Sequence, residues 1–298
     1  MNPVLSIQDI TKFYGSLQAL KNVSFEVPQG SVFGILGPNG SGKTTLLSII
    51  LDVLRANKGN FLWFGQPGSP LQRKKIGSLL ETPNFYHYMS AADNLKITQS
   101  ISGRGTVADI EIALKKVRLF ERRKSRFSTF SLGMKQRLAI AAVLLGNPKV
   151  LVLDEPTNGL DPEGIAEIRQ LIIELSESGH TIIIASHLLD EVEKVCTHVA
   201  ILKTGSLLTT GNVEEVMMDE DVVELGAADL SALAHLLQQP GNNVSIDLKL
   251  KKVQLILPKG TARLDEINSF CFKNGIILHH LILKKKRLEA RFFELTNN

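Results

Sequence analysis

The chain has 298 residues, 44% hydrophobic and 21% charged, with two cysteines and a formal net charge of +4. That length accommodates one large domain and a small one, and the composition is that of a globular chain rather than a disordered or fibrous one. The slight basic excess does not by itself indicate nucleic acid, Cys196 and Cys271 are too few and too far apart for a disulfide framework and fit a reducing compartment, and no apolar run reaches the roughly 18–20 residues of a membrane span.

The opening "MNPVLSIQDITKFYG" meets its first charge too early, and alternates too much, for a secretory signal. Three short strands follow from the patterning: "VLSIQDI", "LKNVSFEVP" and "SVFGIL". The third runs directly into "GPNGSGKTT", Gly37 to Thr45, and "TTLLSIILDVL" beyond it has the apolar spacing of a helix. A more polar stretch covers 58–130 and ends near the cationic run "ERRKSR". Strands and helices then alternate. Ser131 is placed to cap a helix over "SLGMKQRLAIAAVLLGNP", with Gly146 and Pro148 at its far end. "KVLVLDEP" is a continuous apolar strand ending in two acids. Asp161, Pro162 and Gly179 bracket a second helix, and "HTIIIASH" is another buried strand. Apolar runs without alternation, separated by helices, predict an α/β fold around a sheet of parallel strands covered on both faces.

From 220 onward the order of predicted elements becomes β-α-β-β-α-β, the split pattern of a small α+β ferredoxin-like domain. The expected organisation is therefore a domain over 1–219 and an accessory domain over 220–298. The tail "RLEARFFELTNN" is expected to add a short amphipathic helix, and the basic runs "KKKR" at 284–287 and "ERRKSR" at 121–126 read as solvated faces, with contact to anionic lipid headgroups as the alternative.

The stretch after the third strand fits G-x-x-x-x-G-K-[ST], with Gly37, Gly42, Lys43 and Thr44 in the fixed places and Pro38, Asn39, Gly40, Ser41 and Thr45 completing the loop. Glycines allow successive backbone N–H groups to face a phosphate, and the helix that follows presents its positive end to the same anion. Lys43 adds a point charge for the β- and γ-phosphates, and the Thr44 hydroxyl suits Mg²⁺. Hydrolysis needs acids at the carboxyl ends of neighbouring parallel strands. Asp154 is placed to hold Mg²⁺, Glu155 to act as base for the attacking water, and His187 to reach the γ-phosphate from the next strand.

The stretch "FSLGMKQR" at 130–137, shortly before "LVLDE", makes the chain resemble the ATP-binding subunit of an ABC transporter. The resemblance covers about 4–217. It matches Ser131 and Gly133 to the signature "LSGGQ", Asp161 in "GLDP" to the D-loop, His187 to the switch histidine and Tyr14 in "FYGS" to the aromatic that stacks on adenine. Two positions depart from the pattern: Leu132 replaces the first signature glycine, and Glu81 stands where the Q-loop glutamine is expected, with its Mg²⁺ role carried over by resemblance alone. What the resemblance implies is a P-loop NTPase fold with a helical subdomain at 82–146, and ATP and Mg²⁺ as ligands. It also implies a head-to-tail homodimer (or a heterodimer with a similar ATPase) and a separate membrane permease that docks on the 82–130 segment, where "NFYHY" offers aromatics. The chain would then be peripheral, on the cytoplasmic face of a bacterial plasma membrane, without nucleic acid as partner. The two departures, "TPNFYHYMSAADNL" and the terminal "RLEARFFEL" are similar to a subgroup of ABC-2 type export ATPases tied to bacitracin and lantibiotic self-protection and to gliding motility. Two other readings remain open on the residues alone. One is a soluble ABC ATPase acting on DNA or ribosomes, although no long coiled coil or second cassette is present; the other is a weakly hydrolysing regulatory module, raised by Leu132 and Glu81.

Overall fold

In the computed structural model, which describes residues 3–80, 84–217, 220–239, 242–247, 250–258, 260–284 and 292, the chain divides into units Met1–Asn212 and Val213–Asn298. The first unit begins with β1 (Pro3–Tyr14), β2 (Leu17–Pro28), β3 (Val32–Leu36), α1 (Lys43–Ile50), β4 (Lys58–Trp63), β5 (Gln66–Pro67), α2 (Pro70–Arg73) and β6 (Ile76–Leu79). It continues through α3 (Ala91–Ser102), α4 (Val107–Lys116), α5 (Leu132–Leu144), β7 (Val150–Asp154) and α6 (Pro162–Glu177). It closes with β8 (Thr181–Ser186), α7 (Leu189–Val195), β9 (His198–Lys203) and β10 (Ser206–Asn212).

Two sheets arise from two patterns of apolar residues. Strands β3, β7 and β8 are buried at every position, which requires cover on both faces, and they lie inside a six-stranded sheet of order β10-β9-β3-β8-β7-β6. All neighbours in it are parallel except β10, which returns antiparallel to β9. Buried and exposed residues are mixed along β1 and β2, and these strands form an antiparallel sheet of order β2-β1-β4-β5. Phe25 of β2 stacks on Phe33 of β3 with ring centroids 5.3 Å apart, so one core serves both sheets.

The register of the parallel sheet decides where chemistry can occur. Leu36 pairs with Ser186 and Asp154 with Ala185, so β3, β7 and β8 end level with one another and deliver three loops to one edge. The helix signals act as expected. Ser131 Oγ accepts from Met134 N–H (3.3 Å) at the start of α5, and Asp161 Oδ1 accepts from Gly164 N–H (2.9 Å) at the start of α6. Strand β6 lies within the stretch read only as polar. It is four residues long, and its Gly77 passes so close to α5 that a Cβ would meet Val143 O. Among the described residues no helix is long and apolar enough to cross a membrane.

The second unit comprises α8 (Val213–Met217), β11 (Glu220–Ala227), α9 (Leu230–Leu237), β12 (Asn243–Asp247), β13 (Lys252–Pro258), α10 (Leu264–Lys273) and β14 (Leu278–Lys284). Its sheet has order β12-β13-β11-β14 and is antiparallel throughout, the arrangement of a split βαβ domain. Val223, Leu225, Val253 and Leu255 on one sheet face pack with Leu233 and Leu237 of α9 and Cys271 of α10. Grouping α8 with this unit moves the division a few residues ahead of 219/220. The terminal helix expected over "RLEARFFELTNN" falls outside the described residues apart from Phe292, as does "KKKR" beyond Lys284.

Candidate functional site

The loop Gly37–Gly42 connects β3 to α1, with Pro38, Asn39 and Gly40 exposed at its crest and Gly37 and Ser41 buried beneath. Its glycines are required sterically. A Cβ on Gly37 would stand 2.4 Å from Leu202 O and from Ser41 Oγ, and Gly42, at φ 103°, would press on Leu20 and Ala19. Gly40 (φ 80°) has open space around it, so the backbone at the crest is accessible to a ligand.

Side chains from the ends of β7 and β8 and from the base of α1 meet beside this loop. Lys43 Nζ donates to Gly37 O (2.8 Å) and Pro38 O (3.4 Å) and lies 3.7 Å from Glu155 Oε1. The other Glu155 oxygen, Oε2, is 2.9 Å from His187 Nδ1, so one carboxylate links the ends of β7 and β8 to the base of α1. Glu155 stands at φ 47°, a left-handed conformation uncommon for its type, and its N–H is held by Ala185 O at 2.9 Å. Thr44 Oγ1 donates to Asp154 Oδ2 at 2.9 Å. A hydroxyl and a carboxylate in contact form a hard oxygen pair of the kind that, with phosphate oxygens and water, suits Mg²⁺. Ser41 Oγ is buried without a hydrogen-bond partner among the described residues, within the curve of the same loop. The fit to a triphosphate and its metal therefore rests on the open glycine crest, the buried ammonium and this oxygen pair.

A cleft of about 510 Å³ opens here. Asn39, Gly40, Gly42, Lys43, Thr44, Thr45 and Glu155 line it from the loop side, and Tyr14 from the β1–β2 hairpin. Tyr14 is half exposed, with Lys12 Nζ 5.4 Å from its ring centre. Leu17, Gln18, Ala19, Lys21 and Thr204 complete the lining and escape sequence reasoning, because they lie on strand surfaces and in a turn that match no motif.

The remaining expected residues lie elsewhere. Ser131, Gly133 and Asp161 do not line this cleft. They lie where the starts of α5 and α6 adjoin: a Cβ on Gly133 would be 4.0 Å from Gly164 Cα, and one on Gly159 would be 3.6 Å from the half-exposed Leu132. Glu81 lies outside the described residues.

The chain is similar to known proteins along most of its length. The family model described as ABC transporter matches residues 20–158. A bacitracin transport ATP-binding protein of Enterococcus faecalis is 33% identical over 300 residues, 99% of this chain and 97% of its own length. A lantibiotic transport ATP-binding protein of Streptococcus pyogenes is 38% identical over 227 residues, 74% of this chain and 99% of its own. Among solved structures, cbiO1 of Clostridium perfringens, part of the ABC transporter complex cbiONQ, superposes with TM-score 0.67 at 31% identity, covering 72% of this chain and 91% of that one.

Proposed function

Because this chain belongs to the ATP-binding proteins of ABC transporters, ATPases coupled to transport, we propose that the cleft binds Mg-ATP and that Glu155 is its catalytic base. One observation carries the assignment: Lys43 and His187 approach opposite oxygens of the Glu155 carboxylate. In this reading Gly37, Pro38, Asn39, Gly40, Ser41, Gly42 and Thr45 enclose the phosphates, and Lys43 neutralises them. Thr44 and Asp154 hold Mg²⁺, which when bound offsets charge on the transferred phosphoryl group. Glu155 accepts a proton from water, and His187 holds the carboxylate in place and faces the γ-phosphate. Tyr14 stacks on the base, a contact worth roughly 1–3 kcal/mol. Glu81 keeps the metal-side role implied by resemblance.

Ser131, Gly133 and Asp161 serve the nucleotide of a second copy, homologous or identical, since their own cleft does not reach them. The capped start of α5 offers free backbone N–H groups to an anion. A separate membrane permease docks on the helical segment, which carries exposed Tyr86 and Tyr88 and a second cleft of about 410 Å³ between α3 and α4. The relatives named for bacitracin and lantibiotic transport favour export of antimicrobial peptides from the cytoplasmic face of the membrane. The test is Glu155→Gln in the full chain. Turnover should fall at least about 100-fold while Mg-ATP still binds; a rate near wild type removes Glu155 from the mechanism.

A further inference from the structure

The turn between β9 and β10 has two residues, Thr204 and Gly205, closed by the Lys203–Ser206 pair. Both have positive φ, 44° and 80°. A two-residue hairpin of this kind is the type I′ form, which Asn-Gly or Asp-Gly adopts with ease and a β-branched residue does not. Thr204 is therefore held against its local preference. It is an exposed residue, so no core packing explains the choice, and it lines the same cleft as Lys43, Thr44 and Tyr14.

Gly205 is tied in two directions. Its N–H donates to Ser41 O (3.0 Å), in the phosphate loop, and its carbonyl accepts from the N–H of Lys21 (2.7 Å), on β2. A Cβ here would stand 2.5 Å from Ala19 O and 3.2 Å from Leu20 Cα, so this backbone contact admits only glycine. The turn thus joins the phosphate loop to the strand that brings Gln18 and Lys21 to the cleft. Local rules broken at an exposed, over-determined position are expected where a ligand is met.

We propose that the Thr204–Gly205 turn is part of the nucleotide site. Thr204 presents its side chain to the nucleoside portion of ATP, and Gly205 is a positioning residue that holds the phosphate loop in register with the β1–β2 hairpin. The proposal rests on the reading of the cleft as the ATP site.

The experiment compares Thr204→Asn, Thr204→Ser and Gly205→Ala in the full chain by Mg-ATP titration, steady-state kinetics and thermal melting. Thr204→Asn installs the preferred turn sequence and replaces the compact hydroxyl and methyl with a longer planar amide that does not reproduce the same contact, so Tm should rise while the Kd for ATP weakens about fivefold. Thr204→Ser retains the hydroxyl and should bind within about twofold of wild type. Gly205→Ala shifts the loop, and KM should rise roughly tenfold with kcat at saturation changed less than about threefold. If Gly205→Ala fails to fold, Thr204→Asn decides alone. A Thr204→Asn protein with wild-type affinity overturns the proposal, and so does one that loses affinity only alongside a lower Tm. Lys43→Ala separates the two levels: wild-type ATP affinity in that variant refutes the cleft itself rather than the turn.

Discussion

Lys43 is 6% exposed, and among the described residues its ammonium faces two carbonyl oxygens and one carboxylate. A buried cation so placed is directed at an anion, and a charge-assisted hydrogen bond contributes about 1.5–3 kcal/mol. Lys43→Ala should therefore weaken Mg-ATP binding roughly 10- to 100-fold, read by calorimetric titration with the protein still folded by circular dichroism. Residues of this kind were legible because their spacing is fixed by the ligand: Gly37, Gly42, Lys43 and Thr44 must follow a strand, and Asp154 and Glu155 must end one. The left-handed backbone of Glu155 was not legible, since it goes with a bond to Ala185 O from a strand distant in sequence. Gln18, Lys21 and Thr204 carry no signal for the same reason; only folding makes them neighbours of the loop.

Among the elements, the sheet of the second unit contains an unusual charge cluster. Glu224, 1% exposed on the central strand β11, is hydrogen-bonded by Lys284 and by Lys252 (3.1 Å), and His280 Nε2 lies 3.6 Å away. Burial raises the tendency of its carboxyl to stay protonated, but the bonds from Lys284 and Lys252 outweigh it and hold the group below its ordinary 4.5. A depressed folded-state value means that the stabilisation is fully present above pH 4.5 and is lost as pH falls through the lower folded value. Melting of the second unit should accordingly weaken on acidification below that point. Glu224→Gln should remove this dependence and destabilise the unit at neutral pH by roughly 1–3 kcal/mol, because two lysines lose their counter-charge. An unchanged acid limb in Glu224→Gln would contradict this. The element order of this unit could be read from alternation and turns, and so could α5 and α6 from Ser131, Asp161 and Pro162. Strand β6 could not: four residues with a glycine give no periodicity, and what makes them a strand is pairing with β7 from Ile76↔Val150 to Leu79↔Leu153.

For the whole molecule, the two features that would grip one nucleotide lie apart in a single chain. The cleft carries the phosphate loop, Glu155 and Tyr14, whereas Ser131, Gly133 and Asp161 gather where α5 and α6 begin. Under the proposed function each is one half of a nucleotide site that a head-to-tail pair of chains would complete, with ATP between them. The family and the α/β architecture could be anticipated from linked motifs, but the separation of the halves needed the fold, because sequence order does not state which loops share an edge of the sheet. The most direct measurement is sedimentation of the Glu155→Gln chain, 32.8 kDa as a monomer, with and without Mg-ATP. Doubling of the mass on adding Mg-ATP, abolished by Ser131→Arg, is the predicted result. A monomer that binds ATP tightly and stays monomeric at high concentration would contradict the account.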